Sequence, residues 1–231
     1  MNDLTKIHII AVIAHILTIV YAFIWPVATL VMLLPVSLIW FHLGHGVFIH
    51  RYFTHKHFNF SKLGIFLGHL FYIPTNMGLA IMWSSMHNKH HMYSGTNKDP
   101  HEWRQVGILK ALVSDYGDAF SVDVRNAVKA KKEPFAKFFT KAHYIILSVL
   151  VIPLAPVVAM SFWWKQFTTI VVHLDIGDYS KREGSDTSTN IKFLHWLMWG
   201  DEKHNDHHND TSCANLGNDY LYKIGKVWEK I

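Results

Sequence analysis

The stretch that decides the fold is residues 27–55, VATLVMLLPVSLIWFHLGHGVFIHRYFTH. Its first part, residues 27–41, is almost entirely apolar, and at about 1.5 Å of rise per residue it approaches the roughly 30 Å thickness of a membrane's hydrocarbon layer. Its second part is rich in histidine and ends with His50 and His55. The pattern predicts a transmembrane helix that carries polar chemistry where it leaves the bilayer.

A second apolar run, residues 7–25, precedes this stretch and meets it at Pro26. Lys6 is the basic residue before the run, and no small-residue cleavage site follows it. The run is therefore predicted to be a retained span and not a signal peptide. Because a proline joins the two runs, they are predicted to form a helical hairpin.

The middle of the chain alternates between apolar and polar segments. Residues 63–83 are apolar but interrupted by glycines and a proline, which predicts an interfacial or re-entrant segment. Residues 98–141 are polar and basic, and an amphipathic piece at 106–120 is typical of a helix lying against lipid headgroups. A second hairpin is predicted from the apolar arms at 138–152 and 157–176.

A loop and a short apolar helix at 191–199 complete the prediction, which is an all-α integral membrane protein with four transmembrane helices and a cytoplasmic helical cap. Except for Lys165 and the amino-terminal Lys6, the basic residues place the polar loops, the histidines and both termini in the cytoplasm. The chain is predicted to be one domain in four parts: the first hairpin at 1–49, interfacial and cytoplasmic helices with two histidine groups at 50–137, the second hairpin at 138–177, and the third histidine group with a short carboxyl-terminal segment at 178–231.

Composition narrows the chemistry. Half of the residues are hydrophobic, mean hydropathy is +0.13, and there are 18 histidines but a single cysteine, Cys213. Intrachain disulfides and thiolate metal sites are therefore excluded, so a metal would be bound by imidazole or carboxylate. The net charge is +5, but the basic residues are separated by apolar segments. This pattern excludes nucleic acid and favours the lipid bilayer as the partner.

The histidines form three groups, which read His50-Arg-Tyr-Phe-Thr-His55, His87-Asn-Lys-His90-His91 and His204-Asn-Asp-His207-His208. Spacings of three and four place His87 above both His90 and His91 on one helical stripe, and the third group repeats this pattern. On an ideal helix, residues five apart are rotated by about 140°. His50 and His55 are therefore expected to face one point only if the helix ends there or if two metals are bound.

The number of histidines points to two metals. Catalytic zinc takes three protein ligands and structural zinc four, fewer than the histidines in these groups. Imidazole suits zinc, copper, iron or nickel, so the ligand type alone leaves the metal open. His45 and His50 make a competing pair with the same spacing, but His50 with His55 is favoured. Other histidines are interpreted as interfacial or core residues, namely His8, His15, His57, His69, His101, His143 and His195.

Taken together, the three groups, with Asp99-Pro-His101 after the second, resemble the histidine boxes of the membrane fatty acyl desaturases, particularly the delta-9 type. The resemblance covers most of the chain, including the order of the boxes and the hairpin before the third. It implies a di-iron centre with a ninth histidine near the end of the fourth span, where His173 stands. The implied ligands of the two iron ions are His50, His55, His87, His90, His91, His173, His204, His207 and His208.

The resemblance also implies the reaction and its partners. It implies dioxygen-dependent desaturation of an acyl chain on an acyl-lipid or acyl-carrier substrate. The chain has no haem module, flavin fingerprint or iron–sulfur cysteine set, so an external electron donor is expected. The family implies ferredoxin or cytochrome b5. Four basic residues could meet a phosphate or carrier charge, although anchoring to anionic lipid is favoured for them: Arg51, Lys56, Lys89 and Arg104.

The sequence departs from the family in places. An Asn-Ser pair usually precedes the ninth histidine, whereas this chain has Thr168-Thr169-Ile170, so Thr169 is expected to replace the asparagine in part. Carboxylates that accept the outer N–H of a ligating imidazole orient it. The candidates for this role, each weighed against being a solvated loop charge, are Asp175, Asp201, Glu202 and Asp206.

Two alternatives stay open. A lipid or alkane hydroxylase would use the same histidine boxes, because the same oxidant can insert oxygen in place of removing a second hydrogen. A non-enzymatic metal transporter or sensor would also use histidine clusters. Transport, however, favours polar groups at mid-membrane depth, and these histidine groups are predicted to lie at one face.

Overall fold

The computed structural model describes residues 2–113, 124–174, 176–178 and 186–231. Within these residues the regular structure is helical, with two isolated β-bridges and no strand, so the predicted all-α class is confirmed for them. The helices are α1 Asp3–Ile24, α2 Pro26–Thr54, α3 Lys62–Tyr72, α4 Ala80–Tyr93, α5 Trp103–Val106, α6 Ile108–Ala111, α7 Val124–Ala130, α8 Ala136–Leu150, α9 Ala155–Val171, α10 His195–Met198, α11 His204–Asn209 and α12 Tyr220–Trp228.

Among the described residues, α1 and α2 are the two helices that are long and apolar enough to cross a membrane. Helix α1 begins where the side chain of Asn2 accepts a hydrogen bond of 2.8 Å from the backbone N–H of Thr5. The helix ends at Ile24, because Pro26 disfavours helical backbone at the residue before it, Trp25. Large apolar side chains on both helices are exposed, among them Phe23 and Val27, as suits surfaces that face lipid.

By length and composition, fewer than the four predicted membrane spans are found among the described residues. The pair α3 and α4, with the turn Ile73–Thr75 between them, is bent by 80° and is either one broken span or a re-entrant segment. Helices α8 and α9 have 15 and 17 residues. At about 1.5 Å per residue they are shorter than the roughly 30 Å hydrocarbon layer. Two or three spans are therefore supported, and four remain a prediction.

Helix α2 contains two π-helical segments, Met32–Val36 around Pro35 and His42–Thr54 at its carboxyl end. A π-helix joins residue i to residue i+5, and the backbone N–H of His55 bonds to the carbonyl of His50 at 3.1 Å. Residues five apart consequently lie close to one above the other. The helix also ends at Thr54, which is one of the two conditions under which His50 and His55 were expected to face one point.

Packing brings the histidine-bearing ends of the helices together. Helix α1 packs along α9, and the π-helical end of α2 packs against α3, α4 and α12. The approach of α12 is close at Gly46, where an added Cβ would lie 2.7 Å from Leu221 Cδ1. A buried apolar cluster that includes Phe48, Phe53 and Trp83 holds this region together.

Several predicted boundaries shift. Helix α9 ends at Val171 and not near residue 176, because the carbonyl of Val172 accepts a hydrogen bond from Thr189 instead of continuing the helix. The helix predicted at 191–199 is a 3₁₀ turn, Lys192–Leu194, followed by α10. Within the amphipathic piece predicted at 106–120, α6 ends at Ala111, and residues 114–120 lie outside the described residues.

Candidate metal centre

The three histidine groups and His173 meet at one end of the helix bundle. His50 lies in the π-helical end of α2, and His55 follows directly after it. Helix α4 carries the second group and the short helix α11 the third, while His173 follows the end of α9. The nine predicted ligands divide into a five-histidine group, His50, His55, His87, His91 and His207, and a four-histidine group, His90, His173, His204 and His208.

In the five-histidine group, one nitrogen of each ring lies within 4.8 Å of those of the others. The Nε2 atom of His207 is central: it lies 3.1 Å from His50, 3.2 Å from His55 and 3.2 Å from His91. The Nε2 atom of His87 lies 3.1 Å from that of His55 and 3.0 Å from that of His91. Five nitrogens from three chain segments therefore face one point.

Hydrogen bonding between the rings cannot explain this arrangement. A neutral imidazole nitrogen either donates one hydrogen bond or accepts one. His207 Nε2, however, has three such neighbours at nearly equal distances. Two nitrogens that bind one ion at right angles, each at about 2.1 Å, lie about 3.0 Å apart. The spacing therefore fits nitrogens that share a metal ion.

The four-histidine group has the same character. Ligand nitrogens of its four rings also lie within 4.8 Å of one another, and Nε2 of His90 is 3.2 Å from Nε2 of His208. Ring centroids of His173 and His204 are 5.0 Å apart. Adjacent residues of one helix serve different groups, since His90 points to this group and His91 to the other. The HxxHH spacing thus supplies two sites from one helix.

Carboxylates stand behind two rings of the four-histidine group. The Nδ1–H of His90 donates to Asp99 at 2.8 Å, and Asp99 is 1% exposed. Asp99 also accepts backbone hydrogen bonds from Gly95 and His101, which fix the position of its carboxylate. Nδ1 of His208 lies 3.3 Å from Asp186. These contacts orient the rings with Nε2 toward the centre of the group.

A chain of hydrogen bonds through a hydroxyl supports His173. Its Nδ1–H donates to the hydroxyl of Thr187 at 3.0 Å, and that hydroxyl donates to Glu102 at 3.2 Å. Arg104 bonds to both Glu102 and the backbone carbonyl of His173. Thr169, which was predicted to replace the family's asparagine, instead contributes to the wall of the adjoining cavity. The hydroxyl at the outer nitrogen of His173 therefore comes from a distant loop.

The carboxylates predicted to orient ligating histidines make different contacts. Asp201 lies 3.5 Å from Nδ1 of His50 and 3.7 Å from Arg51, so it faces the five-histidine group. Glu202 is buried but accepts from His195, which belongs to neither group. Asp206 accepts from Asn190. Asp175 lies outside the described residues.

Asp99 and Asp186 were not predicted. The signal for Asp99 was present, because an Asp-Pro pair follows the second histidine group at the end of α4. Asp186 stands in a polar stretch that has no periodic pattern, so its role depends on the folded loop. Arg51, expected at a substrate charge or a lipid headgroup, is instead 3% exposed and donates to Asp219 at 2.7 Å.

Burial keeps two of these histidines in the neutral form that binds metals, whereas Asp99 raises the pKa of His90 despite the opposing effect of burial. Burial lowers the pKa of His204 and His207 well below 6.5, so both are neutral at pH 7. Burial also lowers the pKa of His208, although its bond to Asp186 opposes the shift. For Asp99, burial would raise the pKa, but the charge and hydrogen bond of His90 outweigh it and lower the pKa. The carboxylate is therefore ionised behind its histidine.

The histidines interpreted as interfacial or core residues lie outside both groups. His45 is close to them, with its ring stacked near His50 and Nδ1 at 3.9 Å from Asp201, yet it belongs to neither. His42 bonds to the carbonyl of Leu197, and His57 to that of Thr211. The competing pair of His45 with His50 is therefore not the one that the fold brings together.

A cavity adjoins both groups. Its wall includes His50 and His87 from the five-histidine group and His90, His173 and His204 from the four-histidine group. The remaining wall combines apolar side chains, among them Leu4, Ile7, Met77, Met86, Val172 and Met198, with polar ones that include His101, Lys165 and Asp201. Such a wall suits an apolar ligand held directly beside the histidines.

These features define a histidine-rich site that could hold metal ions, in an all-helical chain with apolar helices suggestive of a membrane protein. No family model matches the chain. Curated relatives do match it at low identity. Delta-9 acyl-lipid desaturase 2 of Arabidopsis thaliana is 24% identical over 201 residues, which are 80% of this chain and 65% of that protein.

Two cyanobacterial relatives carry a similar name. An sn-1 stearoyl-lipid 9-desaturase of Anabaena variabilis is 26% identical over 212 residues, 83% of this chain and 75% of that protein. Its namesake in Synechocystis is 24% identical over 252 aligned positions, 98% of this chain and 74% of that protein. The chain thus spans about two thirds to three quarters of the length of these relatives. Their names support a relationship to the desaturases and, with it, an oxidoreductase acting on lipid.

Proposed function

We propose that this chain is an integral membrane acyl-lipid desaturase that introduces a double bond with dioxygen, two iron ions and an external electron donor. The observation that carries the proposal is the pair of histidine groups that share an apolar cavity. The names of the relatives supply the reaction class. The proposal includes the four-part single domain with four spans and with both termini in the cytoplasm.

The donor sets suit the proposed metal. Nine imidazoles in groups of five and four exceed what one ion can bind, and imidazole is a ligand of iron. One iron would be held by His50, His55, His87, His91 and His207, and the other by His90, His173, His204 and His208. Bound iron would supply the dioxygen-dependent oxidant that unactivated C–H bonds require, which amino acid side chains cannot provide.

The chain's own residues perform the remaining tasks. Met77, Met86 and Met198 give the cavity an adaptable apolar wall, which suits a flexible acyl chain. The same wall excludes water from the reacting carbons. Asp99 and Thr187 fix the orientation of two of the histidines, so that little reorganisation is needed when the substrate binds.

The substrate and donor follow from this proposal. An acyl-lipid or acyl-carrier substrate would place its chain in the cavity and its polar group outside it. Electrons would come from a ferredoxin or a cytochrome b5 that docks on the cytoplasmic cap.

The test is expression in a host with a competent donor, followed by fatty acid analysis and measurement of metal in the purified protein. We expect new double bonds and about two irons per chain, and we expect the variant His90→Ala to lose the double bonds and about one of the two irons. The variant Asp178→Asn serves as the control, because Asp178 is exposed and paired with Lys192. Hydroxylated acids without new double bonds would reject desaturation in favour of a hydroxylase, and bound metal without any lipid product would favour a transporter or sensor.

A further inference from the structure

A second set of polar side chains lies buried between α3 and α8, away from the histidine groups. Tyr72 is 0% exposed, His143 2% and Asn76 1%. Among the described residues, Tyr72 Oη, His143 Nε2 and Asn76 Oδ1 have no hydrogen-bond partner. Buried polar atoms are almost always paired, and ordered water commonly satisfies those that lack a protein partner. Three such atoms in one region therefore indicate a hydrated site.

The polar residues follow one another from the protein surface inward. Lys6, which forms an ion pair of 3.2 Å with Asp3, lies over the ring of Tyr144 at 4.5 Å. The rings of Tyr144 and His143 have centroids 4.9 Å apart, and those of His143 and Tyr72 are separated by 6.2 Å. These separations place the rings of Tyr144, His143 and Tyr72 next to one another.

The inner end of this series reaches the wall of the cavity. Asn76 follows Tyr72 by one turn, and its side-chain N–H donates to the carbonyl of Ile7 at 3.0 Å. Ile7 and Met77, the residue after Asn76, both line the cavity beside His50 and the other histidines. The polar series thus ends directly behind the wall at which the proposed reaction takes place.

The proposed reaction needs such a connection. Two hydrogen atoms leave adjacent methylenes, and one dioxygen is reduced to two waters. The balance requires two further electrons and two protons per double bond. The external donor supplies the electrons, but the protons must reach the buried cavity from bulk water.

We infer that Tyr72 and His143, bridged by ordered water, conduct protons from the surface at Asp3 and Lys6 to the cavity. The inference rests on the proposed function, because that reaction is what consumes the protons. The evidence for ordered water near Tyr72 and His143 does not depend on the reaction. A tyrosine hydroxyl and a histidine each donate and accept hydrogen bonds, as proton conduction requires. Asn76 orders the inner water without itself exchanging charge.

The first experiment needs no turnover. Metal-free protein is transferred into D₂O, and the exchange of the Tyr72 hydroxyl is followed as the infrared difference between the wild type and Tyr72→Phe. We expect exchange within the dead time in the wild type and at least tenfold slower exchange in His143→Phe. Equally fast exchange in His143→Phe, or slow exchange in the wild type, would overturn the path.

The second experiment measures turnover at matched iron content. We expect Tyr72→Phe and His143→Phe to lower the desaturation rate by about tenfold or more and to increase hydrogen peroxide release per electron pair. The matched controls are Tyr21→Phe, whose hydroxyl bonds to Ile152, and His15→Phe, whose ring bonds to Trp163. Unchanged rates and coupling in both test variants would reject the path, whereas a wild type without lipid product would reject the proposed function and leave the infrared result to decide the hydrated site.

Discussion

The five-histidine group and the four-histidine group differ in what lies behind their rings. In the four-histidine group, Asp99 and Thr187 accept the outer N–H of His90 and His173, and Asp186 lies close to that of His208. In the five-histidine group, Asp201 is the carboxylate that approaches a ring, and it does so at 3.5 Å from His50.

The two groups are therefore organised in different ways. Outer carboxylates fix ring orientation and raise ligand basicity, so the four-histidine group gains affinity from its surroundings. The five-histidine group instead relies on the number of rings and on the packing of the π-helical end of α2 against α4. Both groups can therefore hold an ion, but for different physical reasons.

The first prediction, for which we expect the greatest loss of iron and activity, removes one ring from each group in turn. His207→Ala removes the nitrogen that lies within 3.2 Å of three others, and His204→Ala removes one of four in the other group. We expect each variant to lose about one of two irons and at least about 100-fold in desaturation rate, more than an outer partner contributes. Metal analysis and lipid analysis measure this, and full iron content in either variant would contradict the assignment.

The second prediction concerns the outer carboxylates. Asp99→Asn should lower the iron affinity of the four-histidine group by about 10-fold to 100-fold, because an amide is a poorer acceptor and does not raise ring basicity. Asp201→Asn should lower the affinity of the five-histidine group less, since its contact with His50 is longer.

Titration with a chelator, read as iron remaining per chain, measures both affinities. The exposed variant Asp178→Asn is again the control. An equal or larger loss in Asp201→Asn would reverse the proposed difference between the groups.

The third prediction compares one histidine of each group by pH. Burial lowers the pKa of His207 well below 6.5, so the unfolded chain takes up a proton that the folded chain does not as pH falls below that value. The free energy of unfolding of the metal-free protein should therefore decrease as the pH is lowered, by up to about 1.4 kcal/mol per pH unit for such a histidine.

His208 should contribute a smaller slope, because its bond to Asp186 opposes the effect of burial on its pKa. Thermal unfolding in detergent between pH 7 and pH 5 measures the slopes. We expect His207→Asn to flatten the profile more than His208→Asn, and the opposite order would be inconsistent with the stated causes.

The sequence predicted those features that depend on local spacing. His87 and His91, four residues apart, fall in one group as helical spacing indicates, whereas His90 falls in the other, and the first two apolar helices are recognisable from their apolar runs. His50 and His55 fall in one group, but the π-helical form that brings them together was not predicted, since local spacing alone does not reveal it. Asp186 depends on a loop that folds back onto His208, and no periodic signal marks such a contact.

The last prediction concerns the hydroxyl that contacts His173, a role that the sequence suggested for Thr169. Thr187 accepts from His173 and donates to Glu102, whereas Thr169 lines the cavity. Because a neutral hydroxyl contributes about 1 kcal/mol, Thr187→Val should weaken iron binding in the four-histidine group by about fivefold, less than Asp99→Asn does. Thr187→Ser should restore the affinity, and Thr169→Val should leave it unchanged. A loss in Thr169→Val without one in Thr187→Val would return the role to the residue beside the span, and the orientation of His173 would then depend on α9 and not on the distant loop.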